Sequence, residues 1–265
     1  MKNFIKKKIK TFLKYIFEIL LKFNLSAKLL TLLNSFEKYE KKKIFGKQIY
    51  LLKKNYITKF RNDTILTKEP ETIEWIQNMK KNSIFYDVGS NIGLYSIISA
   101  LLNSKKVVAF EPSFFNLQIL SKNIYANKLT EKIIIVPISL DSKINEGLFN
   151  FNSIEEGAAL SSFDTNQNLK LNKKINFNYN TISLTLDEFF KNFNYLKPDY
   201  LKIDVDGIET QILKGGSVVL ENVQSVLVES NSLADENEIK KIMDFFKLKL
   251  IEKKKGSYNL IFNRV

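Results

Sequence analysis

The fold this sequence predicts is one α/β domain with a doubly wound, mostly parallel sheet, and three observations predict it. Short, largely apolar runs recur along the chain with helical segments between them. A strand covered by helices on both faces reads as continuous apolar sequence, whereas a half-solvated one alternates. Gly89 stands where the first of these runs gives way to helical periodicity, the usual place for a ligand-binding turn in such sheets. Four prolines and nine glycines in 265 residues are too sparse to mark a linker between two large domains, and no internal repeat is visible.

Taken in order, the stretch from Phe4 to Phe36 predicts one or two helices. Lys10, Lys14, Glu18 and Lys22 recur every four residues as a polar stripe, and Phe12, Leu13, Ile16, Phe17, Ile19, Leu20 and Phe23 fill the other faces. A short extended stretch, Ile44–Leu52, follows. Glu69–Gln77 reads as a helix with Pro70 in its first turn, where the missing amide proton costs nothing. Ile84–Val88 is the first core strand and Asn91–Leu102 its helix. Lys106–Phe110 is the second strand, stopped by Glu111-Pro112, and Ser113–Asn127 is the next helix. Ile133–Pro137 is the third strand. From Asp141 to Thr185 the character changes to scattered Asn, Ser and Lys with short strand-like pieces such as Gly147–Phe151. Leu186–Phe193 is a short helix, Tyr200–Val205 the fourth strand, Ile208–Leu213 the start of a helix, and Ser225–Glu229 the fifth strand. Glu236–Phe246 is helical, and Lys249–Glu252 with Tyr258–Phe262 predicts a closing hairpin. The expected division is a helical extension over residues 1–43 and a main domain over 44–265.

Composition removes several chemistries. The chain has neither histidine nor cysteine. That excludes imidazole bases, thiol nucleophiles, disulfides and the usual zinc ligands. The net charge is +13, but residues 1–43 hold twelve lysines against Glu18, Glu37 and Glu40, a local +9 that leaves +4 for the rest. The excess is an N-terminal feature and not a basic face wrapped around nucleic acid, so no nucleic-acid partner is expected. No run there approaches the roughly 20 apolar residues needed to cross a bilayer, and none resembles a signal-peptide core. The cytoplasm is the expected location. Two readings of residues 1–43 stay open: attachment to an anionic membrane at its inner face, or packing of the apolar side on the main domain.

The run Asp87-Val-Gly89-Ser-Asn91-Ile-Gly93 carries the chemistry. Gly89 and Gly93 allow a tight turn and close approach of a ligand, and the following helix start is expected to offer free amides to a carboxylate. Glu111, ending the second strand, is placed to bind both hydroxyls of a ribose. A dinucleotide fingerprint would need glycine at 87 and 92, where this chain has Asp87 and Ile92. An acid at the head of the loop repels pyrophosphate and suits a ligand carrying an ammonium and a sulfonium. S-adenosylmethionine is therefore the expected cofactor, with Asp87, Gly89, Asn91, Gly93, Glu111 and Asp141 as its expected binding residues.

These motifs, with Glu69-Pro-Glu-Thr72, Phe110-Glu-Pro112, Thr185-Leu-Asp-Glu-Phe189 and Leu201-Lys-Ile-Asp-Val-Asp-Gly-Ile-Glu209, resemble the FkbM-type methyltransferases from about residue 45 to the C-terminus. Asp206 departs from the family, which usually has glutamate there. The resemblance implies the Rossmann-like fold of class I methyltransferases and O-methylation, often of a sugar hydroxyl in a surface glycan, with a carbohydrate or glycolipid acceptor.

Asp204, Asp206 and Glu209 follow the fourth strand, at the edge where ligands bind in such sheets. With no histidine available, these carboxylates are the expected catalytic group, one of them serving as base. The plainer reading is that they cap the helix beginning near Ile208. A divalent metal is compatible with them but not demanded. Gly157–Asn180, long and polar, is expected to lie over the pocket on the acceptor side. The rival reading of the whole is a non-catalytic, membrane-associated assembly factor that keeps the fold.

Overall fold

A computed structural model describes residues 2–22, 31, 38–163, 175–193, 197–254 and 256–265. Residues 23–30 and 32–37 of the N-terminal helical expectation, and 164–174 of the polar loop, lie outside the described residues. The chain divides into two compact units, Met1–Tyr39 and Glu40–Val265.

The first unit contains helix α1 (Lys2–Lys22). Ile9, Phe12, Ile16 and Ile19, spaced to share one helical face, are all exposed. Among the described residues no helix is long and apolar enough to cross a membrane.

The second unit opens on a hairpin, β1 (Tyr39–Ile44) and β2 (Lys47–Leu52), where the sequence suggested only an extended stretch. Phe45 and Gly46, both at positive φ, make the two-residue turn that matches strand twist. Helix α2 (Tyr56–Thr64) has no counterpart in the expectations. A capping box starts it, the Asn55 side chain accepting from the Thr58 amide at 2.8 Å and Thr58 Oγ1 accepting from the Asn55 amide at 2.9 Å. Helix α3 (Pro70–Gln77) begins at the expected proline.

The core alternates strand and helix: β3 (Ser83–Val88), α4 (Leu94–Leu102), β4 (Ser104–Phe110), α5 (Phe114–Ala126), β5 (Ile133–Val136). After an intervening segment come α6 (Leu186–Phe193), β10 (Tyr200–Ile203), α7 (Glu209–Lys214), α8 (Ser217–Asn222), β11 (Ser225–Glu229), α9 (Leu233–Phe245), β12 (Leu248–Glu252) and β13 (Asn259–Arg264). The seven-stranded sheet has the order β12-β13-β11-β10-β3-β4-β5, with only the two pairings of β13, to β11 and to β12, antiparallel. The expected doubly wound, mostly parallel sheet is therefore present, closed by the terminal hairpin. Its strands carry side chains alternately to two apolar clusters. Tyr86, Val88 and Phe110 lie in one, and Phe85, Val107 and Ala109 in the other.

The segment after β5 folds into a second sheet of β6 (Ser139–Leu140), β7 (Asn145–Phe151), β8 (Ser162–Phe163) and β9 (Phe177–Leu184), ordered β6-β9-β7-β8. Phe149, Phe151 and Tyr179 pack against one another there, with ring centroids 4.9–5.8 Å apart. The individual pieces looked weak because each buries its aromatics only when paired.

Strand order reverses between β3 and β10, which opens a crevice at their carboxyl ends. The two strands are held there by the Asp204 amide donating to Val88 O at 3.1 Å. Gly89, at φ +81°, passes so close that an added Cβ would lie 1.9 Å from Asp204 O. Both its conformation and the contact demand glycine. Gly89→Ala is expected to cost about 2 kcal/mol or more through backbone strain and displacement of the β10 end. Urea unfolding of the full chain measures this, and an unchanged midpoint would show that the strands separate there without penalty.

Candidate active site

The turn after β3 is closed upon itself. The Gly89 and Ser90 amides both donate to Phe110 O at 3.0 Å, and the Gly93 amide donates to Ser90 O at 2.8 Å. Asn91, at φ +50°, donates its amide to Glu111 Oε2 at 2.7 Å, and its own side chain accepts from the Ile92 amide at 2.9 Å. The five amides from Gly89 to Gly93 are all engaged within the turn, and the helix start expected to offer free amides lies beyond them at Leu94, with no side-chain cap. The carboxylate of Glu111 competes successfully because it is buried beside them.

Two pockets meet at this turn. An apolar one, about 560 Å³, is walled by Phe110, Glu111, Pro112, Asn116, Leu140 and Phe149 among others. A polar one, about 730 Å³, is walled by Arg61, Lys68, Glu69, Tyr95, Lys202 and Glu229 among others. Gly89, Asn91, Ala159, Asp204 and Asp206 line both. The described start of the polar loop is a strap across this junction. Ala158 O accepts from Asn91 Nδ2 at 2.9 Å, Gly157 O from Arg61 Nε at 2.6 Å, and Asp206 Oδ2 from the Leu160 amide at 2.6 Å.

Glu111 stands in the apolar pocket, with hydrogen bonds from the amides of Asn91 and Ser113 and from the Asn116 side chain. Burial raises its pKa to about 7 against the pull of those donors. The remaining acceptor capacity of Glu111 suits a ribose hydroxyl, and Phe110, Leu140 and Phe149 suit a purine face. The residues present therefore fit the nucleoside of S-adenosylmethionine.

At the junction, Lys202 is 1% exposed and lies 2.7 Å from Asp204 Oδ2, 4.0 Å from Asp87 Oδ1 and 5.1 Å from the centre of the Tyr95 ring. Burial alone would raise the pKa of Asp204, but the charge and hydrogen bond of Lys202 outweigh it and hold that carboxyl below its ordinary value. Tyr95 in turn donates to Glu69 Oε2 at 2.9 Å. Glu229, at the end of β11, has its pKa pushed up to about 8 by burial and by the nearby charges of Asp204, Glu209 and Asp206.

Of the residues anticipated from sequence, Gly89, Asn91, Glu111, Asp204 and Asp206 come together on the pocket walls. Asp87 does not line either pocket. It is wholly buried beneath the turn, accepting from Ser96 Oγ at 2.5 Å, because the pleat points it away from the crevice. Gly93 shapes the turn from behind, with Leu120 against it. Glu209 also lies off both walls; its Oε1 accepts from the amides of Val205 and Gly207 at 3.2 and 3.1 Å and so holds the turn that presents Asp206. Asp141 closes its own turn onto the Ser142 amide at 2.6 Å, and its neighbours Ser139 and Leu140 line the apolar pocket instead. Among the described residues no three acidic side chains are grouped to hold a metal ion. Lys202, Tyr95, Glu69 and Arg61 were missed. A lysine inside the otherwise apolar Tyr200–Ile203 run was a readable signal for the first; Arg61 had none, since α2 itself was unrecognised.

Residues 87–256, well over half of the chain, match the family described as "Methyltransferase FkbM domain". The chain belongs to the FkbM methyltransferase family. An FkbM methyltransferase takes its methyl group from S-adenosylmethionine, the cofactor that the apolar pocket fits. A relative, the hexuronic acid methyltransferase AglP of Haloferax volcanii, is 27% identical over 173 residues, which cover 65% of this chain and 66% of that protein. The match thus spans just under two thirds of the relative's length. Among solved structures, the methyltransferase FkbM from Methylobacillus flagellatus KT is similar at 14% identity and a TM-score of 0.48, covering 80% of this chain and 55% of that one. Precorrin-6y C5,15-methyltransferase from Geobacter metallireducens GS-15 is similar at 10% identity and a TM-score of 0.44, covering 73% and 83%.

Two measurements follow for the FkbM site. Glu111→Ala is expected to weaken S-adenosylmethionine binding by about 1.5–3 kcal/mol in calorimetry through loss of charge-assisted hydrogen bonds. An unchanged affinity would remove Glu111 from the cofactor site. Glu111 and Glu209 near 7 and Glu229 near 8 all sit above their ordinary 4.5. Between about 4.5 and 8 the folded state therefore holds more protons than the unfolded one, so stability falls as pH rises through that window and levels beyond it. Thermal melts of the ligand-free protein should show this decline, and Glu111→Gln and Glu229→Gln should each flatten it.

Proposed function

We propose that this chain methylates an oxygen of a sugar, most simply a hydroxyl of a surface glycan or glycolipid. The observation that carries the reading is the sharing of Asp204 and Asp206 by both pockets, so that an apolar space opens onto a polar one across two carboxylates. The polar pocket offers acids, cations and Tyr95 and suits a hydroxylated ligand; the name of the Haloferax volcanii relative supports a sugar acid or its glycan. When bound, the cofactor supplies an electrophilic methyl on a cationic sulfur. The chain's own residues then hold the acceptor oxygen in line and take its proton. Asp204, kept ionised by Lys202, is assigned to positioning. Asp206, raised into the junction on a backbone at φ +62°, is assigned to proton removal. Glu209 supports it by holding the turn. The non-catalytic alternative finds no support in a site that keeps Gly89, Glu111 and Asp206 together.

Asp206→Asn is expected to lower turnover about 10²–10⁴-fold while cofactor affinity stays near wild type. The assay is methyl transfer to the glycan identified by a methyl-sized mass difference between wild-type and deletion strains. Near-normal turnover would return Asp206 to the role of a turn residue.

Residues 1–43 are assigned to an anionic membrane surface. Twelve lysines against three glutamates, and exposed Ile9, Phe12, Ile16 and Ile19 on one face of α1, support this. Liposome sedimentation should show salt-sensitive binding of the full chain to phosphatidylserine vesicles and none after removal of 1–38, which leaves β1 intact. Equal partitioning of both proteins would refute it.

A further inference from the structure

We propose that Arg61 is the carboxylate-binding residue of the polar pocket. Three cations line that pocket, Arg61, Lys68 and Lys202. Two are already neutralised: Lys202 by Asp204, and Lys68 by Glu69 at 2.7 Å. Arg61 has no carboxylate within ion-pair distance among the described residues. Its Nε donates to Gly157 O at 2.6 Å, which fixes the guanidinium plane and leaves its terminal nitrogens for a ligand. The side chain is half-buried, and its charge acts on both Glu111 and Asp204, placing it beside the junction of the two pockets.

The rest of the pocket makes Arg61 the natural anion receptor. Every amide of the turn from Gly89 to Gly93 is engaged, so no donor to a carboxylate comes from the turn itself. Glu69, Asp204 and Asp206 wall the same space and disfavour an anion on their side. A ligand with both a cationic or hydroxylated end and an acidic end is thereby oriented, with the acidic end toward α2. A guanidinium held by its Nε can bind a carboxylate with two parallel hydrogen bonds, which a lysine cannot. The α2 scaffold is built for rigidity at this point. Its capping box fixes the first turn, and Asn55 Nδ2 donates to Glu156 O at 2.9 Å, tying the helix to the strap that Arg61 also grips. Helix α2 lies outside the residues that match the family, 87–256.

Two carboxylates can enter: that of the methionine part of the cofactor, and that of an acidic sugar acceptor. The inference rests on the reading of these pockets as cofactor and acceptor spaces. Calorimetry of the full chain with S-adenosylhomocysteine and with 5′-methylthioadenosine, which lacks the amino-acid end, separates the sources. If the cofactor's carboxylate is bound, Arg61→Gln lowers S-adenosylhomocysteine affinity roughly 10- to 100-fold and leaves 5′-methylthioadenosine unchanged. If an acceptor's is bound, both nucleosides bind Arg61→Gln as they bind the wild type. Methyl β-glucuronide, added with saturating S-adenosylhomocysteine, then loses binding in the variant and exceeds the neutral methyl β-glucoside in the wild type. Arg61→Lys, which keeps the charge but not the fork, should fall between, and it carries the test should Arg61→Gln fail to fold. Equal losses for both nucleosides would mean that Arg61 only shapes the pocket. No change with any of these ligands would likewise overturn the assignment. Failure of the wild type to bind either nucleoside overturns the cofactor reading itself, and this assignment with it.

Discussion

A lysine ammonium lies at the centre of this domain with 1% of its surface exposed, and the geometry of the site is organised around satisfying it. An unpaired charge there would be prohibitively unfavourable, and removing a single partner of a buried pair typically costs about 3–5 kcal/mol. Lys202 sits in register opposite Asp87 across the β10–β3 pairing, with Asp204 two residues further on. Its partners therefore come from the two strands between which the sheet order reverses. Meeting the charge holds the ends of β3 and β10 in one arrangement, and the close passage of Gly89 under Asp204 O follows from it. Asp204, the partly exposed member of that cluster, presents its carboxylate at the mouth of the crevice.

The strap from Gly157 to Leu160 divides what that crevice becomes. It leaves the second sheet, crosses the turn after β3, and is gripped by side chains from four separate places: Arg61 on α2, Asn91 on the turn, Asn116 on α5 and Asp206 after β10. The apolar space lies toward β4, β5 and the second sheet, and the polar space toward α2 and β11. Buried amides and carbonyls of an irregular segment need partners, and these four side chains supply them. Pocket shape and strap stability are thus the same set of hydrogen bonds.

The parallel strands were legible because burial on both faces forces continuous apolar runs, and α3 and α5 because Pro70 and Ser113 mark their starts. Helix α2 was not, since Tyr56–Thr64 carries no clear apolar stripe and its stability lies in the Asn55–Thr58 capping box and in Asn62 beneath Leu52. The second sheet was seen only as a change of character, its strands being short and partly polar. In the site, the acids were recognised but not sorted. Asp87, Asp204, Asp206 and Glu209 look alike as carboxylates near strand ends. Pleat direction buries Asp87, and turn geometry folds Glu209 back onto backbone amides while Asp206 faces the pockets.

The sequence by itself determined the fold class, the placement of the glycine turn at the end of the first core strand, and the exclusion of imidazole and thiol chemistry, because periodicity and residue type are local properties. Which carboxylates face a ligand, which amides of the glycine turn remain available, and that a cation from α2 reaches the same crevice were decided only by the tertiary structure. Those outcomes depend on competition among groups far apart in the chain. Glu111 captures the Asn91 amide, Lys202 lies 4.0 Å from Asp87 Oδ1, and Gly157 O captures one edge of Arg61, each across a separation that no sequence window spans.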